Sequence, residues 1–400
     1  MNNVRKTKFE KTMNLASRTL GLAAVGIASL ASVAQAEYEK MAELQTALPA
    51  TTISGYVDTS AQWNIGTGNV NLPEYKFGGP NKADGFNLNA VQLRIEKPLD
   101  ESEWAAGYHA DLWFGPDANT LNTSSTGVNT SDFGIRQAYV AMRVPVGNGI
   151  IFKMGVFDSI IGYESIQRDL NANFTPSYGR TIEPQTETGL LGTYRFSDVV
   201  SASAGIGNTI GPTINERAFR IPSGNGGDMP ESFKTYMVSL ALTMPQSCGW
   251  AADSSLEFGW VNGFSTGPGT GFTQTSWYIG AKVPTGVTGL TVGVAWDYRE
   301  FRFSPNDIWT LAGYVSYQMT QKLSLHGRLD YLNSGEGYAS TKTFALTGTL
   351  QYDLWKNVLS RLEARWDHSA NGFDKFGGSI EGVPESKNAC MLALNVVYKF

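Results

Sequence analysis

The chain has 400 residues, a formal net charge of −5, 44 glycines, 12% aromatic residues, three histidines and two cysteines. So few histidines and cysteines leave little for a metal centre or acid–base chemistry, and the acidic balance excludes the basic footprint of a nucleic-acid binder. Past residue 36 no stretch approaches the roughly 18 consecutive apolar residues that a membrane-spanning helix needs.

In chain order, Arg5, Lys6, Lys8, Lys11 and Arg18 precede the apolar run LGLAAVGIASLASV (20–33), which ends at Ala34-Gln35-Ala36. This charge, apolar run and small-residue site predict a cleaved secretory signal peptide over 1–36. It carries five basic residues and one acid, so subtracting its +4 from −5 leaves −9 for the exported chain. Residues 37–52, EYEKMAELQTALPATT, read as a polar periplasmic lead-in.

From residue 53 the chain breaks into alternating runs of about ten residues, the strand length of a membrane barrel. The runs predict strands over 53–64, 86–97, 103–114, 133–144, 150–158, 187–196, 199–207, 233–244, 254–262, 272–283, 289–299, 308–318, 322–332, 342–353, 358–368 and 389–400. In 358–368, Leu362, Ala364 and Trp366 share one face, while Arg361, Glu363, Arg365 and Asp367 share the other. The connections alternate between short and long, as tight periplasmic turns and long outer loops do in an antiparallel barrel. A soluble sandwich has no reason to sort its loops in this way. The expected fold is therefore all-β: a transmembrane, up-and-down antiparallel β-barrel of 16 strands, closed because lipid leaves no partner for an open sheet edge.

The last run, MLALNVVYKF (391–400), sets Leu392, Leu394, Val396, Tyr398 and Phe400 on one face and Ala393, Asn395, Val397 and Lys399 on the other. It is expected to pair with the first strand, with Tyr398 and Phe400 in the periplasmic aromatic girdle.

On this parity the inward charges are Arg94, Glu96, Asp111, Lys153, Arg195, Lys282, Asp297, Arg299, Arg328, Asp330, Arg361, Glu363, Arg365 and Asp367. A lipid-facing charge near the midplane costs about 2–4 kcal/mol, which is reason enough for a shared face. The stretch DANTLNTSSTGVNTSD (117–132) lacks the spacing of a calcium loop and reads as solvated. Neither a metal nor a cofactor is expected. Among His109, His326 and His368 no pair has metal-ligand spacing, and no G-x-S-x-G run occurs, so an enzyme is not expected. Cys248 falls in a short connection and Cys390 at the opposite end of a strand, which predicts two free thiols.

Four stretches carry a family resemblance: FNLNAVQLRIEKPLDESEWAAGYHADLWFGPDA (86–118), GIRQAYVAMRVPVGNGIIFKMGVFDSIIGYES (134–165), SYGRTIEPQTETGLLGTYRF (177–196) and the closing strand. Over 53–400 the chain resembles the porin-like, OmpL-like outer-membrane β-barrel family. The resemblance implies a bacterial outer-membrane porin that passes small hydrophilic solutes and ions by diffusion. It also implies that the third long connection, 159–186, folds into the barrel as the constriction, bringing in Glu164, Arg168, Asp169, Arg180 and Glu183. Arg328, Arg361 and Arg365 are then expected to face this loop across the pore. Tyr398 and Phe400 resemble the end signal read by the barrel insertion machinery. The implied partners are the lipid bilayer, lipopolysaccharide, that machinery, the solutes and, as a homotrimer, further copies of the chain, with no nucleic acid. The alternative is a structural or adhesin-type barrel with an occluded lumen.

Overall fold

The computed structural model of the chain describes residues 50–66, 68–121, 123, 131–218, 232–264, 273–301, 307–335 and 341–400. The expected signal peptide and most of the lead-in lie outside the described residues, as do parts of several long connections.

Sixteen strands form: β1 (Thr52–Ile65), β2 (Gly85–Lys97), β3 (Ala105–Phe114), β4 (Phe133–Val144), β5 (Ile150–Asp158), β6 (Thr186–Arg195), β7 (Val200–Gly207) and β8 (Thr235–Thr243) make the first half. The second half is β9 (Ser255–Phe264), β10 (Thr273–Pro284), β11 (Leu290–Phe301), β12 (Ile308–Gln318), β13 (Leu323–Ser334), β14 (Thr341–Trp355), β15 (Val358–Ser369) and β16 (Asn388–Lys399). Two short helices, α1 (Pro116–Leu121) and α2 (Tyr178–Ile182), belong to connections. Every strand pairs antiparallel with its successor and β16 pairs with β1, so the barrel is closed. The strands expected from alternation all form, with ends within two residues of those expected.

The register shows how alternation builds the wall. Leu329, Leu346 and Trp366 lie opposite one another on β13, β14 and β15, and Leu325, Leu350, Leu362 and Leu394 do so from β13 to β16. All are exposed, and they make the apolar band that lipid covers. One residue along, Arg328, Thr347 and Arg365 form a row on the inner face, and His326, Thr349, Glu363 and Ala393 form the next. Threonines between the charged positions separate Arg328 from Arg365, so like charges do not stand directly opposite. Among the described residues the connection between β14 and β15 is the tightest, only Lys356 and Asn357. Asn357 takes the left-handed conformation (φ +70°), which asparagine tolerates better than most residues.

The buried side chains lie inside the barrel. One apolar cluster joins Phe157, Leu191, Met237, Val261, Tyr278 and Ala295 of the wall to Ile160 and Ile161 of the connection after β5. A second joins Phe77, Trp113, Ala118, Leu121 and Ile166. Both cysteines are free, Cys248 exposed in the turn after β8 and Cys390 on β16 opposite Ile65.

Candidate pore constriction

The connection from β5 to β6 runs through the lumen, and its own sequence shapes it. Asn171 closes a small ring, accepting from the Ser165 amide at 2.8 Å and donating to the Ser165 carbonyl at 2.8 Å. Ser177 caps α2 by accepting from the Arg180 amide at 3.0 Å. Such local closure leaves many main-chain groups of an irregular segment unpaired, and at membrane depth the wall must satisfy them.

Strands β13 to β16 do so. Arg328 donates to the Thr175 carbonyl (2.6 Å), to Glu164 Oε1 (3.0 Å) and to Asp330 (2.7 Å). Arg361 donates to the carbonyls of Asn171 (2.6 Å) and Arg168 (3.2 Å). Arg365 donates to the Pro176 carbonyl (2.8 Å) and forks onto Asp367 (2.9 Å). Its guanidinium lies over the rings of Tyr75 (4.2 Å) and Tyr178 (5.1 Å), and the Tyr178 hydroxyl donates to Asp367 at 2.7 Å. Glu363 accepts from the amides of Phe174 (2.6 Å) and Thr175 (2.8 Å) and from the Thr175 hydroxyl (2.6 Å). Lys399, next to the C-terminus, pairs with Asp169 at 2.9 Å. Hydrogen bonds to charged groups contribute about 1.5–3 kcal/mol each, so this set holds the loop firmly.

Strands on either side of these grip the loop as well. Arg94 donates to Gln167 (2.7 Å) and Asp111 (2.8 Å), and Arg168 pairs with Asp117 of α1 at 3.1 Å. Asp117 also receives Lys82 from the connection after β1. At Gly259 an added Cβ would sit 2.2 Å from Ile161, and at Gly179 it would sit 2.3 Å from Asp297, so both close approaches need glycine. Asp297 also hydrogen-bonds Glu183, while Glu183 holds Arg180 at 2.8 Å. Burial raises the Glu183 carboxyl above the ordinary carboxylate range. Burial, then the nearby Arg180, lower the Lys76 ammonium to about 8, and burial pushes the Tyr75 hydroxyl up to about 12.

The residues expected in the loop, Glu164, Arg168, Asp169, Arg180 and Glu183, are all buried in the lumen. Of the expected pore-lining residues, Arg94, Asp111, Asp297, Arg328, Asp330, Arg361, Glu363, Arg365 and Asp367 meet the loop or its immediate partners. Glu96 pairs with His109 at 2.9 Å, and Arg299 lies 4.9 Å from the ring of Phe301. Arg195 stands at the turn end of β6, bonded to Asp198 at 2.8 Å. His326 is held between the Ser324 and Ser316 hydroxyls, both at 2.9 Å.

Two expectations are corrected. Arg328, Arg361 and Arg365 do not face the loop across open water. They are 1–2% exposed and bonded to its carbonyls, because a buried guanidinium seeks acceptors for its five donors and the folded loop supplies several of them beside those of the wall. Asp117 is not solvated: it is fully buried between Lys82 and Arg168. Sequence reasoning missed Tyr75, Phe77, Lys82 and α1 as lumen residues. The signal present was the aromatic pair in LPEYKFGG (72–79), unusual in an exposed loop.

The family model described as "Putative beta-barrel porin-2, OmpL-like" matches residues 50–400. A search of curated proteins finds no match. Among solved structures, the anion-selective porin from Comamonas acidovorans superposes with a TM-score of 0.58 at 12% identity, covering 88% of this chain and 99% of that one. Salmonella typhi OmpF in complex with daunomycin gives 0.57 at 13% identity, with 88% and 97% covered. The outer membrane channel DcaP of Acinetobacter baumannii gives 0.55 at 11%, also with 88% and 97% covered. At these identities the structures speak for the fold, and the sequence match for the family. The chain belongs to the OmpL-like family of outer-membrane β-barrel porins.

Proposed function

We propose that this chain is a porin of the bacterial outer membrane, passing small hydrophilic solutes and ions by passive diffusion, with the loop at 159–185 as its constriction. The observation that carries this reading is the loop itself, held inside a sixteen-stranded barrel by side chains of β13 to β16 and of β2. A barrel of this strand number encloses more than its own side chains fill. A cavity beneath the loop, lined by Glu164, Asn173, Lys282, Ser316, Gln318 and His326, lies on the side of the short turns and agrees with this reading. Export by the 1–36 signal, recognition of Tyr398 and Phe400 by the insertion machinery, and assembly as a homotrimer surrounded by lipid and lipopolysaccharide belong to the same reading.

The occluded barrel is the second reading, favoured by apolar packing of Ile160 and Ile161 on β9 to β11 opposite the arginine network. Swelling of liposomes that contain the refolded barrel separates the two. Entry of neutral sugars at rates that fall with solute size supports the pore. No entry through inserted, folded protein supports the occluded barrel.

A further inference from the structure

The cavity beneath the loop holds about 750 Å³ of space, part of it open to the lumen, and small-molecule sites run from about 300 to 1,000 Å³. Its charged side chains are already matched. Glu164 accepts from Arg328 at 3.0 Å and from the Ser177 amide at 2.8 Å. Lys282 of β10 is attracted by Glu257 of the adjoining β9. Both ring nitrogens of His326 are taken, by the Ser324 and Ser316 hydroxyls.

The groups left to a ligand are neutral. Asn173 of the loop, Gln318 of β12 and Gln351 of β14 all line the cavity. Their amide nitrogens give to the Thr349 hydroxyl (2.7 Å), to the Thr320 carbonyl (2.6 Å) and, at 3.5 Å, to Asp353. Among the described residues nothing donates to their three amide oxygens, and the Thr291 hydroxyl in the same lining has no protein partner. Beside them Tyr163 and Tyr314 stack with ring centroids 4.0 Å apart and 14° between their planes. Gly293 on β11 makes room for this pair, since a Cβ there would lie 1.9 Å from the Tyr163 hydroxyl.

Amide oxygens accept and a threonine hydroxyl both gives and accepts, while aromatic rings cover apolar surface. An anion would meet mostly acceptors, and a cation would find no carboxylate to spare, so either would leave water with its charge unpaired. A sugar brings many donors, no charge and apolar C–H faces for the rings.

We propose that this cavity is a binding subsite for a neutral monosaccharide, held by Asn173, Gln318, Gln351 and Thr291 against the Tyr163–Tyr314 pair. The site names a solute class for the porin reading, on which it rests.

The test is saturation-transfer difference NMR of the refolded barrel in lauryldimethylamine oxide, a detergent with no sugar headgroup, titrated with glucose, gluconate or glucosamine. Heat-modifiable gel mobility checks folding. Transfer to the glucose ring protons should saturate in the millimolar range, with glucose bound at least about threefold more tightly than either charged analogue. Gln351→Leu should weaken glucose binding about fivefold for one lost hydrogen bond. If that variant does not fold, Thr291→Val carries the test, with a weakening of about threefold. No saturable transfer to glucose, tighter binding of a charged analogue, or an affinity that neither substitution changes overturns the proposal. Binding is read here without flux, so the two readings fail separately. Glucose bound by a barrel that is silent in a bilayer keeps the site and ends the porin reading, and a conducting barrel that binds none does the reverse.

Discussion

Gly55 and Phe400 close the barrel as a reciprocal pair: the Gly55 amide donates to the Phe400 carbonyl at 2.9 Å, and the Phe400 amide donates to the Gly55 carbonyl at 2.9 Å. A Cβ at Gly55 would lie 2.7 Å from the Phe400 ring, so the aromatic covers the glycine. The bare terminal Phe is thus the last rung of the seam between β1 and β16. The space beside Gly55 is filled by this ring.

Deleting Phe400 removes both bonds and the ring. A loss of about 2–3 kcal/mol at the seam is expected, given about 1 kcal/mol per hydrogen bond and the aromatic contact. The deletion should lower the temperature at which the folded gel band disappears. Gly55→Val should do the same by displacing the ring, and an unchanged transition in both variants would contradict the seam account.

Arg328 joins Glu164, Asp330 and the Thr175 carbonyl, so Arg328→Ala leaves Asp330 and the Thr175 carbonyl buried without this donor and leaves Glu164 with the Ser177 amide alone. Removing one partner of a buried pair costs about 3–5 kcal/mol, and here the cost falls on the loop's attachment. Single-channel recordings should show a larger and noisier conductance than the parent protein. A quiet, unchanged conductance would mean that the loop does not depend on this arginine.

Glu363 takes two amides and a hydroxyl from the turn at Phe174 and Thr175, and the Thr349 hydroxyl besides. Glu363→Ala should free this segment while leaving the barrel closed. Limited proteolysis is expected to cut within 170–177 in the variant and to spare the parent. Equal resistance in both would contradict the role given to Glu363.

Lys76 in the connection after β1 has its proton affinity lowered to about 8 from 10.5. Between those values the unfolded chain holds the proton and the folded chain does not, so stability rises with pH across that window. Burial of the charged form imposes its full penalty below about 8. The same deprotonation removes a positive charge from the lumen side. The reversal potential in a salt gradient should therefore move toward cation preference with a midpoint near 8, and Lys76→Met should abolish the shift. A wild-type titration with its midpoint in the ordinary lysine range would contradict the assignment.

Much of the wall was legible because a barrel in lipid enforces a rule two residues long. Leu362 and Trp366 against Arg361 and Arg365 already assign faces, and the short and long connections assign ends. What alternation does not encode is the partner of an inward side chain. Arg361 and the Asn171 carbonyl are 190 residues apart, and only the path of the loop brings them together. For the same reason parity placed the three arginines inside yet suggested an open basic wall. Phe77, Lys82 and Asp117 were missed because they sit in connections, where no period exists to read.

A solute path past the loop is tested by single-channel current from purified, refolded barrel in a planar bilayer under a potassium chloride gradient. Stepwise insertion events with ohmic conductance, enlarged in Arg328→Ala, are expected. A correctly folded, inserted barrel that stays silent at every voltage, in parent and variant alike, would contradict it and leave a barrel closed by its own third loop.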